Sequence, residues 1–435
     1  MKMCQQKRSL TMELINDDEI KLIAKQCGFS KVSSWFMEEY PDKMIGYLGD
    51  HLKLILEVES EKGYKSVLNL FVKCMPRLDK WKSDYLKEVG FFKKEYVMLN
   101  TLFKEFKNEG SQKWRPRLFF IRENIYVFEN VSLLEYKMPH HQDVMTYEEM
   151  KASVQTLARL HAQSYIHEET KSKELGRPYR IWEQYSEYLQ EPERGKDWRD
   201  TGRDAVIAYL KVYSKHKSKP NFNNCVDSIV PTLFDRAVDL MKPSSAYRNV
   251  VVHRDLWTNN IFLKKINSEF HALFVDYQTV LYCSPMLDLS SLIYFNTTKS
   301  DRDNWVNIFI DIYLEVLSKE LQAEGINIER VIDRSALTKA YHESILFGLT
   351  QAALITPVVA MSREKREQIF YDPESSRRAN VVTHSKEFIE IAKEDSKYQT
   401  RITELLDEIV ERYIDDISRR HLQSSPRNEA PQLNK

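Results

Sequence analysis

Residues 248–278 read RNVVVHRDLWTNNIFLKKINSEFHALFVDYQ, three short runs of β-branched and aromatic residues separated by polar breaks. The alternation predicts a strand over Asn249 to Val252, a loop from His253 to Asn259, and a second strand from Asn260 to Leu263. A third strand, Phe270 to Tyr277, returns after a turn at Asn267. This arrangement brings Asp255, Asn260 and Asp276 to one edge of a hairpin.

On the C-terminal side of this small β cluster the chain reads as helical to about His421, with Ile402, Leu405, Ile409, Tyr413 and Ile417 forming the last amphipathic stripe. The final residues, 422–435, are polar and proline-punctuated and read as a disordered tail. On the N-terminal side, the Thr146 to Glu149 run TYEE is a capping box opening a helix with Met150, Val154, Leu157 and His161 on one stripe. Further back the period falls to two. LKLILEVE (Leu52 to Glu59) and SVLNLFVKC (Ser66 to Cys74) form a hairpin, with Lys73 at its far end. A helix with Phe92, Glu95, Tyr96, Leu99, Leu102, Phe103 and Phe106 at three- and four-residue spacing comes next, then two strands, RLFFI and IYVFENV. Asn16 and Asp17 cap a first short helix that stops at Gly28.

The expected fold is α+β and bilobal: an N-terminal helical extension over 1–29, a small lobe of antiparallel sheet plus one helix over 30–131, and a large, mostly helical lobe over 132–421. A chain of 435 residues suits three average domains or one bilobal enzyme. Its 64 Lys+Arg exactly offset 64 Asp+Glu, and no long basic run appears, which removes the electrostatic footprint of a general nucleic-acid binder. Five cysteines, odd in number and without a Cys-x-x-Cys pair, indicate neither a disulfide framework nor a zinc site. A reducing compartment, the cytoplasm, is expected, since the N-terminus lacks an apolar secretory core. The longest apolar stretch, Phe347 to Met361, is broken by polar residues and predicts a buried helix rather than a membrane span. Oligomeric state is not legible.

The residues at the hairpin edge carry a definite chemistry. Phosphoryl transfer from ATP needs an aspartate to orient and deprotonate the acceptor hydroxyl, and oxygen ligands to hold Mg2+ on the phosphates. His253-x-Asp255 with Asn260 five positions on, followed by Asp276 on a strand, supplies those parts. Glu95 lies on the apolar stripe of its helix, where a carboxylate needs a partner, and Lys73 is the natural one.

The motifs HRDLWTNNIF and FVDYQ resemble those of the insect ecdysteroid 22-kinase-like family, in the choline and aminoglycoside kinase branch of the kinase-like fold, and within it the proteins named juvenile-hormone-inducible. The resemblance spans about residues 30 to 420. It implies Asp255 as catalytic base, Asn260 and Asp276 as catalytic and magnesium ligands, and Lys73 as a phosphate clamp held by Glu95. It also implies a hinge in which Glu129 and Val131 meet adenine through the backbone. The glycine-rich loop departs from the pattern: YLGDHLKL keeps Gly46 and Gly49, of which Gly49 is the candidate nucleotide contact, but lacks Gly-x-Gly-x-x-Gly. Gln278 replaces the glycine of Asp-Phe-Gly. Only twelve positions separate Asp276 from Asp288, leaving little room for the activation loop of a protein kinase.

The expected partner is therefore a small, lipophilic, hydroxylated substrate, with ATP and Mg2+ as cofactors and no nucleic acid. Helices between residues 165 and 245 are expected to receive it. The aromatics Tyr179, Trp182, Tyr185, Tyr188, Trp198, Tyr209 and Tyr213 suit an acceptor pocket or the core, and their helical spacing favours the core. His161 reads as a core histidine bracing the catalytic loop, Asp288 as that loop's backbone anchor, and Arg254 receives no role. The competing reading is a pseudokinase that binds a ligand or partner without turnover.

Overall fold

The structure is a computed structural model that describes residues 14–40, 48–110, 113–140, 143–192, 196–370 and 372–414. Gly46, the end of the last helix and the tail over 422–435 lie outside the described residues. Helix α1 (Asp17–Gln26) begins at Asn16, whose side chain accepts from the amides of Asp18 and Glu19 while Glu19 returns a bond to the Asn16 amide. It stops where Gly28 takes a φ of 87°.

Five antiparallel strands follow: β1 (Lys31–Glu39), β2 (Asp50–Glu59), β3 (Lys65–Cys74), β4 (Leu118–Arg122) and β5 (Ile125–Glu129), in the order β1-β2-β3-β5-β4. Strand alternation sorts their side chains onto two faces. Leu52, Leu54, Leu56, Val72 and Val127 pack with Ile20, Ile23 and Ala24, so the first helix shares the small lobe's core. His51, Phe71 and Lys73 take the opposite face, toward the large lobe. Helices α2 (Lys80–Val89) and α3 (Phe91–Asn100) lie between β3 and β4.

Sequence reasoning missed β1 and α2. KVSSWFMEE lies at a sheet edge and buries no residue fully, so its alternation is weak. For α2 the signals were present: Asp79 accepts from the Lys82 amide, and Gly90 ends the helix at a φ of 74°. The helix expected to run on to Phe106 breaks at Thr101, before a single turn over Leu102–Glu105.

The large lobe contains α4 (Tyr147–Leu175), α5 (Lys196–Tyr213), α6 (Phe222–Asp239), β6 (Val250–Val252), β7 (Ile261–Ile266), β8 (Glu269–Phe274), β9 (Leu281–Cys283), α7 (Pro285–Asn296), α8 (Lys299–Ala323), α9 (Arg334–Val359), α10 (Arg363–Phe370), α11 (Pro373–Val381), α12 (Ser385–Glu394) and α13 (Ser396–Ile409). The Thr146 capping box opens α4 as its sequence requires. Every residue of α7 is buried. Where α7 crosses α9, a side chain at Gly348 would sit 2.7 Å from the Ser290 backbone, so the close approach requires glycine. The apolar run 347–361 is the buried second half of α9 and the turn after it. Among the described residues no single helix is long and apolar enough to cross a membrane.

The three strands of the decisive segment do not form one sheet. β7 and β8 make a hairpin, whereas β6 pairs with β9. β8 ends at Phe274, so Asp276 lies beyond the strand expected to carry it, with a left-handed φ of 71°.

Candidate active site

The open end of the β7-β8 hairpin positions the site. Ile261 pairs with Phe274. Asn260 therefore sits just before the first strand and Asp276 just after the second, and the Val275 amide donates to the Asn260 carbonyl at 3.1 Å. The Asn260 side-chain nitrogen donates to the Asp255 carbonyl at 2.7 Å and to its Oδ2 at 3.1 Å. The three residues expected together are together. Asp276 and Arg254 both hold positive φ, 71° and 75°, which costs a non-glycine residue of order 1 kcal/mol and persists only where surroundings enforce it.

Those surroundings are dense. Asp288 is fully buried and accepts the amides of His253 and Arg254, both at 2.5 Å, while His161 meets it at 3.1 Å through Nε2 and meets the Tyr313 hydroxyl through Nδ1. His253 Nε2 lies 2.9 Å from the Val275 carbonyl, and Thr279 donates to the His253 carbonyl. The loop bearing Asp255 is thus tied to the segment bearing Asp276. Asp288 acts on this loop through its backbone, and His161 acts through Asp288.

Lys73 projects from the end of β3 with its ammonium 2.5 Å from Glu95 Oε2 and 2.7 Å from Asp276 Oδ1. Glu95 is 1% exposed, and its other oxygen accepts the Tyr277 amide at 3.0 Å. Burial alone would depress the lysine, but Asp276 and Glu95 together hold it above its ordinary value and so keep it charged. Sequence position gave the Lys73–Glu95 pairing. It did not give the Asp276 contact, which spans 203 residues. Next to Glu95, the buried Lys94 donates to the Gln190 and Val280 carbonyls, fastening α3 to the large lobe, and burial pushes its ammonium down to about 7.

Two cavities meet at this point. The first, about 250 Å³, is lined by Lys73, Glu95, by Glu129 to Ser132 from the segment expected as the hinge, and by Phe71, Phe262, Met138 and Val275. The Glu129 carboxylate is engaged by Lys113 at 2.9 Å and by the Arg117 amide. Gly49 does not line this cavity. A side chain there would come within 3.2 Å of the Cys74 carbonyl and 3.3 Å of the Phe92 ring, so this glycine permits close packing beside the Lys73 stem.

The second cavity, about 210 Å³, is lined by Trp81, Tyr85 and Val89 of α2, by Trp198, Trp257, Ile355, Val358 and Phe370, and by Asp255 with Arg254, Glu191 and Arg199. Among the described residues, only Glu191, Pro192, Trp198 and Arg199 come from the 165–245 region expected to receive an acceptor. The helices there spend their apolar stripes on the large lobe: Tyr209 reaches the Gln399 carbonyl and Tyr213 the Ile389 carbonyl at 2.9 Å. Of the seven aromatics noted there, Trp198 alone faces the cavity. Helices α2, α9, α10 and α11 and the segments bearing Asp255 and Asp276 build most of the rest.

Asn260 and Asp276 line both cavities, and Asp255 faces the second. Burial, reinforced by the nearby Asp276 charge, raises the Asp255 carboxyl to about 7 against the pull of Arg254 and Asn260. Among the described residues its Oδ1 is buried without a hydrogen-bond partner within bonding geometry. Arg254, given no role from sequence, forms an ion pair with Glu191, which also holds Arg199. Asp276 and Asn260 offer hard oxygen atoms at the junction, a donor set suited to magnesium. The Asn260 amide nitrogen is committed to Asp255, which leaves its oxygen for a cation.

A two-lobed fold with this Lys–Glu pair, hinge and Asp/Asn/Asp junction defines the class as kinase-like. A family model described as the ecdysteroid kinase-like family matches residues 43–325, and the chain belongs to that family. No curated protein matches it by sequence. Similar solved structures include an ethanolamine kinase of Plasmodium vivax, 12% identical over 85% of each chain with a TM-score of 0.40. A microcompartment-associated aminopropanol kinase is 12% identical over 92% of this chain and 98% of its own, with a TM-score of 0.40. A choline/ethanolamine kinase family protein of Mesorhizobium loti is 10% identical over 89% and 98%, with a TM-score of 0.29.

Proposed function

We propose that the chain transfers the terminal phosphoryl group of ATP to a hydroxyl of a lipophilic, uncharged small molecule, such as an ecdysteroid or another hydroxylated steroid or foreign compound. The observation that carries this reading is the shared wall: Asn260 and Asp276 border both a hinge-backed cavity and an apolar, aromatic one into which Asp255 faces. A phosphoryl donor in the first and an alcohol in the second would meet across these two residues.

In this reading Asp255 orients the acceptor hydroxyl and takes its proton, a task suited to a carboxyl raised to about 7. Lys73 pairs with donor phosphate oxygens and stays charged because Glu95 remains beside it. Asn260 and Asp276 would hold magnesium, which would supply charge neutralisation at the phosphates. In the second cavity Lys82, Arg199 and Arg254 offset Glu191, Asp255 and Asp276, so no net negative charge is left to draw a cationic amino alcohol, and the aromatic wall of Trp81, Tyr85 and Trp198 favours a neutral acceptor.

Thermal melting with ATP, with and without magnesium, tests the donor half. Ligand at 100 times its dissociation constant adds about 2.7 kcal/mol of stability. The shift should require magnesium and should vanish in Asp276→Asn. The altered glycine loop is the one feature that favours ligand binding without turnover, and a protein indifferent to MgATP at millimolar concentration would support that alternative.

A further inference from the structure

We propose that His51 donates a hydrogen bond to the nucleotide phosphates. This rests on the ATP-dependent reading above. His51 and Lys73 are direct cross-strand partners in the β2-β3 register, so their side chains leave the same face of the sheet a few ångströms apart. Both line the hinge-backed cavity. The imidazole is stacked on Phe71, with ring centroids 5.4 Å apart and planes at 28°, which fixes its plane beside the lysine. The ring makes no hydrogen bond to a described residue.

Register also says which part of a nucleotide the ring meets. Along β3, Leu70 pairs with Glu129 at the hinge and with Leu54 on the other side, whereas Lys73 pairs with His51. Three residues of strand separate the two positions, about 10 Å. His51 therefore stands at the lysine end of the cavity, far from the hinge that would take the base. Burial and the neighbouring Lys73 charge keep the imidazole neutral, its pKa lowered to about 4, and a neutral imidazole still carries one N–H donor. Gly49, packed on the Cys74 carbonyl and the Phe92 ring, is not among the residues lining the cavity.

The test compares MgATP with adenosine, binding each to the full-length protein and to His51→Ala and His51→Gln by calorimetry. Loss of one phosphate hydrogen bond should weaken MgATP about tenfold in His51→Ala. Adenosine affinity should remain within about twofold, which also reports an intact fold, and His51→Gln, which keeps a donor, should recover most of the loss. Unchanged MgATP affinity in His51→Ala overturns the assignment. So does an equal loss for adenosine, which would make the ring a stacking surface for the base. Should the unmodified protein bind neither ligand, the ATP-dependent reading itself falls and this inference with it.

Discussion

Asp255→Asn is expected to cut phosphoryl transfer by about 10²- to 10⁴-fold, the usual worth of general-base assistance, while making the folded protein more stable. The second effect follows from burial. Asp255 titrates near 7 in the folded protein rather than at the ordinary 3.8. Between those values the folded state binds a proton that the unfolded chain has released, so stability falls as pH rises through the window and the full penalty is present above pH 7. The interval corresponds to an upper bound of roughly 4 kcal/mol. Relaxation of the unfolded and ionised states brings the expected gain for Asp255→Asn to about 1–2 kcal/mol at pH 8, shrinking toward pH 4. Denaturant unfolding at the two pH values, beside turnover on any accepted substrate, checks both. A variant that retains full rate would remove Asp255 as the base, and one less stable at pH 8 would mean that its ionised carboxylate is satisfied where it lies.

Lys73→Met should do the reverse to stability. It strips the cation from between Glu95 and Asp276 and leaves a fully buried carboxylate beside a half-buried one. Removing one partner of a buried ion pair costs about 3–5 kcal/mol. Nucleotide affinity should fall as well, because the proposed function makes the same ammonium the phosphate clamp. Adding Glu95→Gln to Lys73→Met should recover part of the stability, since an amide tolerates burial better than a stranded ion, but none of the nucleotide affinity. Unfolding and ATP titration of the single and double variants separate these outcomes. If Lys73→Met changes neither quantity, the three-way contact carries no energy.

What was legible in the sequence is what local pattern carries. Asp255, Asn260 and Asp276 sit within one short segment whose strand periodicity already places them at a hairpin edge. Glu95 betrayed its burial by occupying an apolar stripe, and a buried carboxylate calls for a cation. The Asp276 contact to Lys73 joins residues 203 apart and depends on the left-handed backbone at Asp276, which β periodicity does not foresee. The same holds for Arg254, whose positive φ helps bring its guanidinium to Glu191, 63 residues away. The second cavity escaped sequence reasoning because much of its wall is assembled from α2 of the small lobe and α9 to α11 of the large one. No single stripe encodes that surface, and the aromatics at helical spacing in 165–245 were largely consumed by the core. His51 was invisible as a site residue until the β2-β3 register set it opposite Lys73.

The central claim, that a donor cavity and an apolar acceptor cavity meet at Asn260 and Asp276 with Asp255 as base, is tested most directly by its product. The protein is incubated with MgATP and, in parallel, with a panel of neutral hydroxylated steroids and a panel of amino alcohols, and each mixture is analysed by mass spectrometry for a compound heavier by one phosphoryl unit. The expected result is a phosphorylated neutral compound, absent without magnesium and reduced at least a hundredfold with Asp255→Asn. Phosphorylation of amino alcohols alone would contradict the acceptor assignment drawn from the aromatic, charge-balanced lining of the second cavity. No phosphorylated product from either panel, in a protein that melts identically with and without MgATP, would contradict the account as a whole.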